Sequence, residues 1–232
     1  MMIYKILQRF TAVLVAGVFV FSSLQANVRT QAERDQASQN YATGLQAYQH
    51  KDYTMALQYF REGCSKNYGA CFYLWVMLMH RQGTTRNIRT AMDLWNRELS
   101  SADTDHTDYL LKVAQTGIAD AYFILALNIL DKSDSGADKA LEYCQRAVDM
   151  GSSSGYVCLG MIYRDGAGVP RSYQKALEYY QKAANMGDAM GNNSLAEMYE
   201  KGVGVQQDKE MAMQYYQRAC NTGYPDACNK QP

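Results

Sequence analysis

The sequence has 232 residues, and its 23 basic side chains (Lys and Arg) balance 23 acidic ones, so its formal charge is zero. Nucleic-acid binding depends on a basic excess that attracts phosphates, and we therefore exclude a nucleic-acid-binding protein. A chain of this length can bury a core of its own, either as one domain or as one array of repeats.

Residues 1–26 are arranged like a secretory signal peptide. The basic residues Lys5 and Arg9 precede an apolar run from Thr11 to Phe21, and the segment closes on a small residue, Ala26. The apolar run is shorter than the roughly 20 residues that a membrane-spanning helix needs. We expect cleavage near Ala26, a periplasmic or secreted protein, and no membrane span afterwards. An uncleaved N-terminal anchor is the alternative.

The remainder of the chain repeats itself with a period of 36 residues, seen in Gly151, Gly187 and Gly223. The stretch "YRDGAGVPRSYQKALEYYQKAANMG" is followed in register by "YEKGVGVQQDKEMAMQYYQRACNTG". In each unit an alanine is followed by apolar or aromatic residues three and four positions later: Ala56, Ala91, Ala140, Ala176 and Ala212. That spacing makes one apolar face of an amphipathic helix. The sequence therefore predicts stacked helix pairs, because a single pair cannot bury its apolar face alone.

The repeats predict a lead-in at 27–40 and a repeat domain at 41–232. We place the units at about 41–67, 68–116, 117–150, 151–186 and 187–222, with a C-terminal cap at 223–232. The interval from Ala91 to Ala140 is 49 residues, against 35 or 36 between the other alanines, so it contains an insertion around 100–116. This insertion is predicted to form a loop and a short extra helix with Leu110, Leu111, Val113 and Ala114. It serves either partner binding or the closure of a junction between units.

The motif G-x-G-V, followed by a capped helix with an aromatic pair and an alanine, resembles the Sel1-like repeat, a relative of the tetratricopeptide repeat. The resemblance is strongest from Gly151 to Gly223, and the stretch "GLQAYQHKDYTMALQYFREG" looks closer to a tetratricopeptide unit. The cysteines further resemble those of the cysteine-rich, secreted bacterial branch. The resemblance implies an all-α fold, a right-handed α/α solenoid of antiparallel helix pairs. It also implies a non-enzymatic scaffold without cofactors.

All six cysteines follow residue 26, and an even number in an exported chain suggests disulfides. Two pairs of neighbouring cysteines would join the end of one helix to the start of the next, which a disulfide can span. Cys144 and Cys158 differ, because each lies seven residues from Gly151, one on either side, and two antiparallel helices would bring them level. The predicted pairs are Cys64–Cys71, Cys144–Cys158 and Cys220–Cys228. There is no C-x-x-C motif and no Cys/His cluster, so we expect no metal. Free buried thiols are the alternative.

Ser172 and Lys175 form an S-x-x-K motif, which exported serine enzymes acting on penicillins also use. Those enzymes need S-D-N and K-T-G motifs as well, and neither is present. Ser172 stands in register with Asp208, and both residue types cap helix N-termini, so a cap is predicted. Some cysteine-rich relatives have been linked to penicillin binding or weak hydrolysis. A β-lactamase-type activity therefore stays as an alternative, on resemblance alone.

Two further motifs are interpreted as structural. The glycine turn "GAGVP" follows a predicted helix, whereas a phosphate-binding loop follows a strand. The acidic stretch from Asp103 to Asp108 lacks the glycine and the terminal glutamate of a calcium loop. We predict a helix-ending turn for the first and a solvated insertion for the second.

In tetratricopeptide-type arrays the first helix of each unit lines the concave surface. Carrying those positions over predicts a concave partner-binding face of Tyr41, Tyr48, Phe72, Val76, Met79, Phe123, Leu127, Val157, Met161, Arg164, Asn193, Glu197 and Lys201. Such a face, apolar in the middle and polar at one end, suits an extended peptide or a helix of a protein partner. The alternative is that its apolar members are ordinary core. We expect a monomer, and both envelope assembly and host interaction are compatible with the sequence.

Overall fold

The structure, a computed structural model, describes residues 30–80, 82–84, 88–94, 106–132 and 136–230. Within these ranges the regular secondary structure is helical and contains no strand. The predicted signal peptide at 1–26 and residues 100–105 of the predicted insertion lie outside the described residues.

The helices are joined by short connections wherever the chain between them is described. They are α1 (30–49), α2 (Tyr53–Gly63), α3 (Tyr68–His80), α4 (Ile88–Leu94), α5 (Thr107–Gln115), α6 (Asp120–Lys132), α7 (Ala137–Asp149), α8 (Ser153–Asp165), α9 (Tyr173–Asn185), α10 (Ala189–Lys201), α11 (Lys209–Asn221) and α12 (Pro225–Cys228). We call α6, α8 and α10 the A helices and α7, α9 and α11 the B helices. Helix α1 already covers most of the predicted lead-in.

The helix starts are set by side-chain caps that recur with the sequence period. Ser172 accepts a hydrogen bond from the backbone N–H of Lys175, and Asp208 accepts one from Met211. At the A helices, Ser152 caps α8 and Asp188 caps α10 in the same manner. Each cap satisfies an N–H group that the first helical turn leaves without a partner.

The G-x-G motif combines a helix end with a close contact. Gly166, at the end of α8, has φ of +73°, a left-handed conformation that closes the helix and that glycine adopts without steric cost. A Cβ on the second glycine, Gly168, would lie 2.0 Å from the Cβ of Ala137 at the start of α7. The motif therefore ends one helix and packs the turn on the preceding unit.

The chain divides into two compact units, and the first ends at Leu74. In the first unit α1 and α2 are joined by aromatic packing. The ring of Phe60 stacks on Tyr73 at 5.2 Å between centroids, and Tyr41 and Tyr48 lie 6.4 Å from Phe60. Gly44 leaves the space that the Phe60 ring occupies, since a Cβ there would lie 2.8 Å from the ring.

The second unit, from Trp75 onward, is a stack in which each helix from α5 to α12 packs against the next. Successive A helices also contact each other. Small residues of the B helices, including Ala147, Ala183 and Ala219, are fully buried where the following helix crosses. Between successive repeats of this second unit, the Tyr215 hydroxyl donates a hydrogen bond to Gln181 Oε1 at 2.9 Å. These features confirm the predicted all-α fold, an α/α solenoid.

The described part of the insertion forms a helix, as predicted. Helix α5 buries Leu110, Val113 and Ala114 and packs on α6. Leu111 is only partly buried. The packing of α5 buries these apolar side chains, and no partner protein is needed to explain them. It favours the interpretation that the insertion covers part of the stack.

None of the helices in the described ranges is both long and apolar enough to cross a membrane.

Candidate functional site

Part of the apolar half of the predicted partner-binding face is core. Five of its members are at most 3% exposed: Phe72, Val76, Met79, Phe123 and Val157. Helix α3 is apolar on all sides, as helices covered on every face are, and the Phe123 ring stacks on Trp75 at 6.1 Å. A side chain without exposed surface cannot contact a partner, so the core interpretation applies to these five residues.

Four other members of that face are partly exposed. Tyr41 and Tyr48 belong to the aromatic cluster around Phe60 in the first unit. Leu127 lies on α6. Met161 lies on α8, with part of its side chain packed on the core of the second unit. Each of them presents some apolar surface to solvent.

The polar members of the face lie on α8 and α10. The side chains of Arg164, Glu197 and Lys201 are 36%, 44% and 61% exposed, whereas Asn193 is nearly buried. Asn193 Nδ2 donates to Glu197 Oε1 at 2.9 Å, and Lys201 Nζ lies 3.8 Å from Glu197 Oε2. We call Met161, Arg164, Glu197 and Lys201 the A-helix face.

The charges of the A-helix face are held in place by neighbours. Arg164 donates from Nε and one terminal nitrogen to the two carboxylate oxygens of Asp165, both at 2.7 Å. Hydrogen bonding to Asp165 raises the pKa of Arg164, and the charge of Glu197 on α10 adds to the effect. The two A helices therefore present a fixed, mixed-charge surface.

The six cysteines form three disulfides, which confirms the expected cross-links. Cys64–Cys71, Cys144–Cys158 and Cys220–Cys228 have Cα–Cα distances of 4.3, 5.7 and 4.9 Å. The first closes the turn between α2 and α3, the second joins α7 to α8, and the third joins α11 to α12. Cys144 and Cys158 are fully buried, whereas Cys228 is exposed.

The S-x-x-K motif is a helix cap. Ser172 Oγ accepts from the backbone N–H of Lys175 at 3.3 Å, as the register with Asp208 predicted. The Lys175 ammonium lies over the ring of Tyr163, 4.6 Å from its centroid. The side chains of the motif are thus engaged in a cap and a cation–π contact.

A polar network that the sequence patterns did not indicate runs along the N-termini of the A helices. The buried carboxylate of Asp120 accepts from His80 Nε2 at 2.5 Å and from Ser152 Oγ at 3.2 Å. Ser153 Oγ donates to the buried Asp188 at 2.8 Å. The residues are 32 or more positions apart in sequence, and only the 36-residue register of Ser152 with Asp188 could have indicated them.

The order of groups in this network differs from that of a serine hydrolase. In a catalytic triad the imidazole bonds to the serine and the carboxylate orients the imidazole. Here the Asp120 carboxylate lies in the middle and binds both His80 and Ser152. Ser152 Oγ also accepts from the N–H of Ser154 as the cap of α8. The arrangement joins helix ends through the Asp120 carboxylate.

A second surface feature, also missed, is a groove between the B helices α7 and α9, with a volume of about 530 Å³. Residues of α7 form one wall, and Leu159, Tyr163 and Tyr179 complete the lining. The α7 residues are Asp138, Leu141, Glu142, Gln145, Arg146 and Asp149. Their spacing follows one face of a helix, which the amphipathic pattern of α7 could have indicated.

In the described part of the chain, no group of three or more His, Cys, Asp or Glu residues could hold a metal ion. The acidic stretch considered for calcium lies mostly outside the described residues, with Asp108 inside them and exposed in the first turn of α5.

The chain is similar to several solved structures, of which three follow. A Sel1 repeat protein from Oxalobacter formigenes is 23% identical over 82% of this chain and 75% of that chain, with a TM-score of 0.48. c5321, a protective antigen of uropathogenic Escherichia coli with an SLR fold, is 24% identical over 87% and 42%, with a TM-score of 0.46. Helicobacter pylori cysteine rich protein B is 27% identical over 53% and 90%, with a TM-score of 0.45.

No curated protein matches the chain significantly. The family model of the Sel1 repeat matches it five times, at residues 37–68, 67–97, 114–152, 158–188 and 189–224. Sel1 repeats are generally scaffolds for protein–protein interaction and are generally not enzymes. The interval between the second and third matches contains the start of α5, the helix of the insertion. With its repeated motif, stacked helix pairs and five matches, the chain belongs to the Sel1 repeat family.

Proposed function

We propose that the protein is an exported, non-enzymatic scaffold that binds a protein or peptide partner through the A-helix face. The observation that carries the proposal is the charged surface of α8 and α10. There, Arg164 is fixed by Asp165, and Glu197 is fixed by Asn193. Charged groups that are already ordered lose little freedom on binding, which favours specific recognition.

The A-helix face also has an apolar part. Met161 lies one helical turn before Arg164 on α8 and is partly exposed. An unbranched thioether adapts to different apolar contacts. A partner that supplies an apolar side chain for Met161 and opposite charges for Arg164 and Glu197 fits this surface.

Export is supported by the cysteines. All six are paired in disulfides, and disulfides persist in oxidising compartments such as the periplasm or the extracellular medium. The proposal therefore places the partner outside the cytoplasm. The signal-like segment at 1–26 is consistent with this location.

The test is a crosslinking pull-down from the native cell envelope. Arg164→Gln combined with Lys201→Gln should remove most of the captured partner, because both cations of the A-helix face are lost. Lys112→Gln combined with Lys209→Gln is the matched control, since it removes two exposed cations of α5 and α11. Equal capture by both double variants would refute the proposed face, and a fully reduced protein in the cytoplasmic fraction would refute export.

A further inference from the structure

The groove between α7 and α9 has a mainly acidic wall on one side, and two lysines lie beside its lining on the other. On the α7 side, Asp138 and Asp149 stand at its two ends, and Glu142 in the middle is paired with Arg146 at 2.7 Å. On the α9 side, Lys175 and Lys182 lie over tyrosine rings that line the groove.

The outer charges on both sides of the groove have no partner of opposite sign among the residues that the structure describes. Among the described residues, Asp138, Asp149, Lys175 and Lys182 take part in no ion pair. Asp149 accepts a hydrogen bond from the neutral side chain of Gln145. A ligand that brings the opposite charges to each wall would therefore gain interactions without breaking existing ion pairs.

The positions of the two lysines are fixed by the tyrosines beneath them. The rings of Tyr163 and Tyr179 stack at 5.7 Å with an interplanar angle of 16°. The ammonium of Lys175 lies 4.6 Å from the Tyr163 centroid, and that of Lys182 lies 5.2 Å from the Tyr179 centroid. Cation–π attraction of this kind holds each ammonium beside the groove while leaving it charged.

The size of the groove suits a short extended peptide. Asp138 and Asp149 are 11 helical positions apart, or about 16 Å at 1.5 Å per residue. An extended chain rises about 3.3 Å per residue, so five or six residues cover this length. Successive side chains of an extended chain point to opposite sides. One set would face the acidic α7 wall, and the other set would face the side of α9 where Lys175 and Lys182 lie over the tyrosine rings.

We infer that this groove binds an extended peptide segment in which basic and acidic side chains alternate. The basic side chains contact Asp138 and Asp149, and the acidic ones contact Lys175 and Lys182. The backbone lies over the stacked tyrosines and Leu159. This site is separate from the A-helix face, so the failure of either proposal leaves the other standing.

The test uses purified, disulfide-intact protein and two capped, dye-labelled hexapeptides of identical composition, Lys-Glu-Lys-Glu-Lys-Glu and Lys-Lys-Lys-Glu-Glu-Glu. Fluorescence anisotropy should give an affinity at least about tenfold higher for the alternating peptide, since each tenfold step needs only about 1.4 kcal/mol. Its binding should weaken as salt is raised, because the groups involved are exposed.

Variants of each wall test the contacts. Asp138→Asn with Asp149→Asn, and separately Lys175→Gln with Lys182→Gln, should each weaken binding of the alternating peptide by about three- to tenfold, as expected for two exposed charge pairs. Lys209→Gln with Glu210→Gln, on the surface of α11, is the control that should leave the affinity unchanged. Circular dichroism verifies that all variants remain folded.

Several outcomes would overturn the inference. These are equal affinity for the two hexapeptides, equal or tighter binding of hexalysine or hexaglutamate, and insensitivity of the affinity to both wall variants. Concentration-dependent self-association that the wall variants abolish would show that a second copy of the chain occupies the groove instead of a peptide.

Discussion

His80 Nε2 on α3 and the buried Oδ2 of Asp120 on α6 lie 2.5 Å apart. Burial alone would raise the pKa of Asp120, but the hydrogen bond and charge of His80, aided by the Ser154 and Ser152 hydroxyls, lower it below its ordinary value. The Asp120 side chain is 7% exposed, so its charge depends on these partners. This contact therefore makes the stability of the stack sensitive to acid.

The first prediction concerns acid unfolding. Because the folded state holds the pKa of Asp120 below its unfolded value of about 3.9, the stabilisation is complete above that pH and is lost as the pH falls through the folded pKa. Asp120→Asn should flatten the dependence of the unfolding free energy on pH below about 4. Urea titrations at several pH values measure this dependence. If the unfolding free energy of the variant fell as steeply at low pH as that of the wild type, Asp120 would not be the group responsible.

Substitution of His80 tests the same contact with Asp120 in a second way. His80→Gln leaves the buried Asp120 carboxylate with one partner fewer and should cost roughly 1–3 kcal/mol at pH 7. His50→Gln is the control, because His50 is exposed in the first unit. Equal stability of the two variants would show that the His80 contact contributes nothing.

The next prediction concerns alkaline unfolding. Burial raises the pKa of Tyr180 to about 12, against an opposing effect of the Arg164 charge. An unfolded tyrosine ionises near pH 10, so the stabilisation is complete below about pH 10 and is lost as the pH rises towards about 12. The loss should be up to roughly 3 kcal/mol. Tyr180→Phe should reduce the slope of unfolding free energy between pH 10 and 11.5, whereas Tyr173→Phe, at a partly exposed position, should not.

Close helix crossing predicts the effect of a single methyl group. A Cβ on Gly191 would lie 2.7 Å from the Cβ of Ala183 and 3.0 Å from the backbone nitrogen of Ala184. In an open helix Gly→Ala stabilises by about 1 kcal/mol, but here overpacking should reverse the sign and cost about 1–3 kcal/mol. Adding Ala183→Gly should recover part of the loss, which a double-mutant cycle measures. An increased stability of the Gly191→Ala protein would contradict the close crossing of α9 and α10.

The disulfides should differ in their access to reductant. Under native conditions dithiothreitol and alkylation should modify Cys220 and Cys228 first, because Cys228 is exposed. The fully buried Cys144–Cys158 bond should be reduced only when the stack opens. Mass spectrometry of alkylated peptides gives the order, and simultaneous reduction of both bonds would argue against this packing. Replacing Cys144 and Cys158 by alanine should cost about 3 kcal/mol.

Much of the fold could be predicted from sequence because it is local and repeated. The register of Ser172 with Asp208 predicted helix caps, and both side chains accept the expected backbone hydrogen bonds. The cysteine pairs were predictable for the same reason, since each pair closes a short segment between neighbouring helices. Short sequence separation leaves few alternative partners.

The surface was less predictable because it depends on what covers each helix. Phe72 and Phe123 occupy the register positions of a partner-binding face, yet neighbouring helices bury both. The Asp120 network joins residues from α3, α6 and α8, and no local pattern indicates which helix ends meet. The groove at Tyr163 likewise needs the relative placement of two B helices, which a single helical pattern does not contain.

The central claim is that the A-helix face binds a protein or peptide partner outside the cytoplasm, and site-specific photo-crosslinking in intact cells tests it most directly. A photoreactive amino acid at position 201, on α10, should give a specific adduct with the partner, and one at position 209, on α11, should not. Arg164→Gln should reduce the yield at position 201 severalfold. Adducts of equal yield at both positions, or a yield at 201 that Arg164→Gln leaves unchanged, would contradict the account.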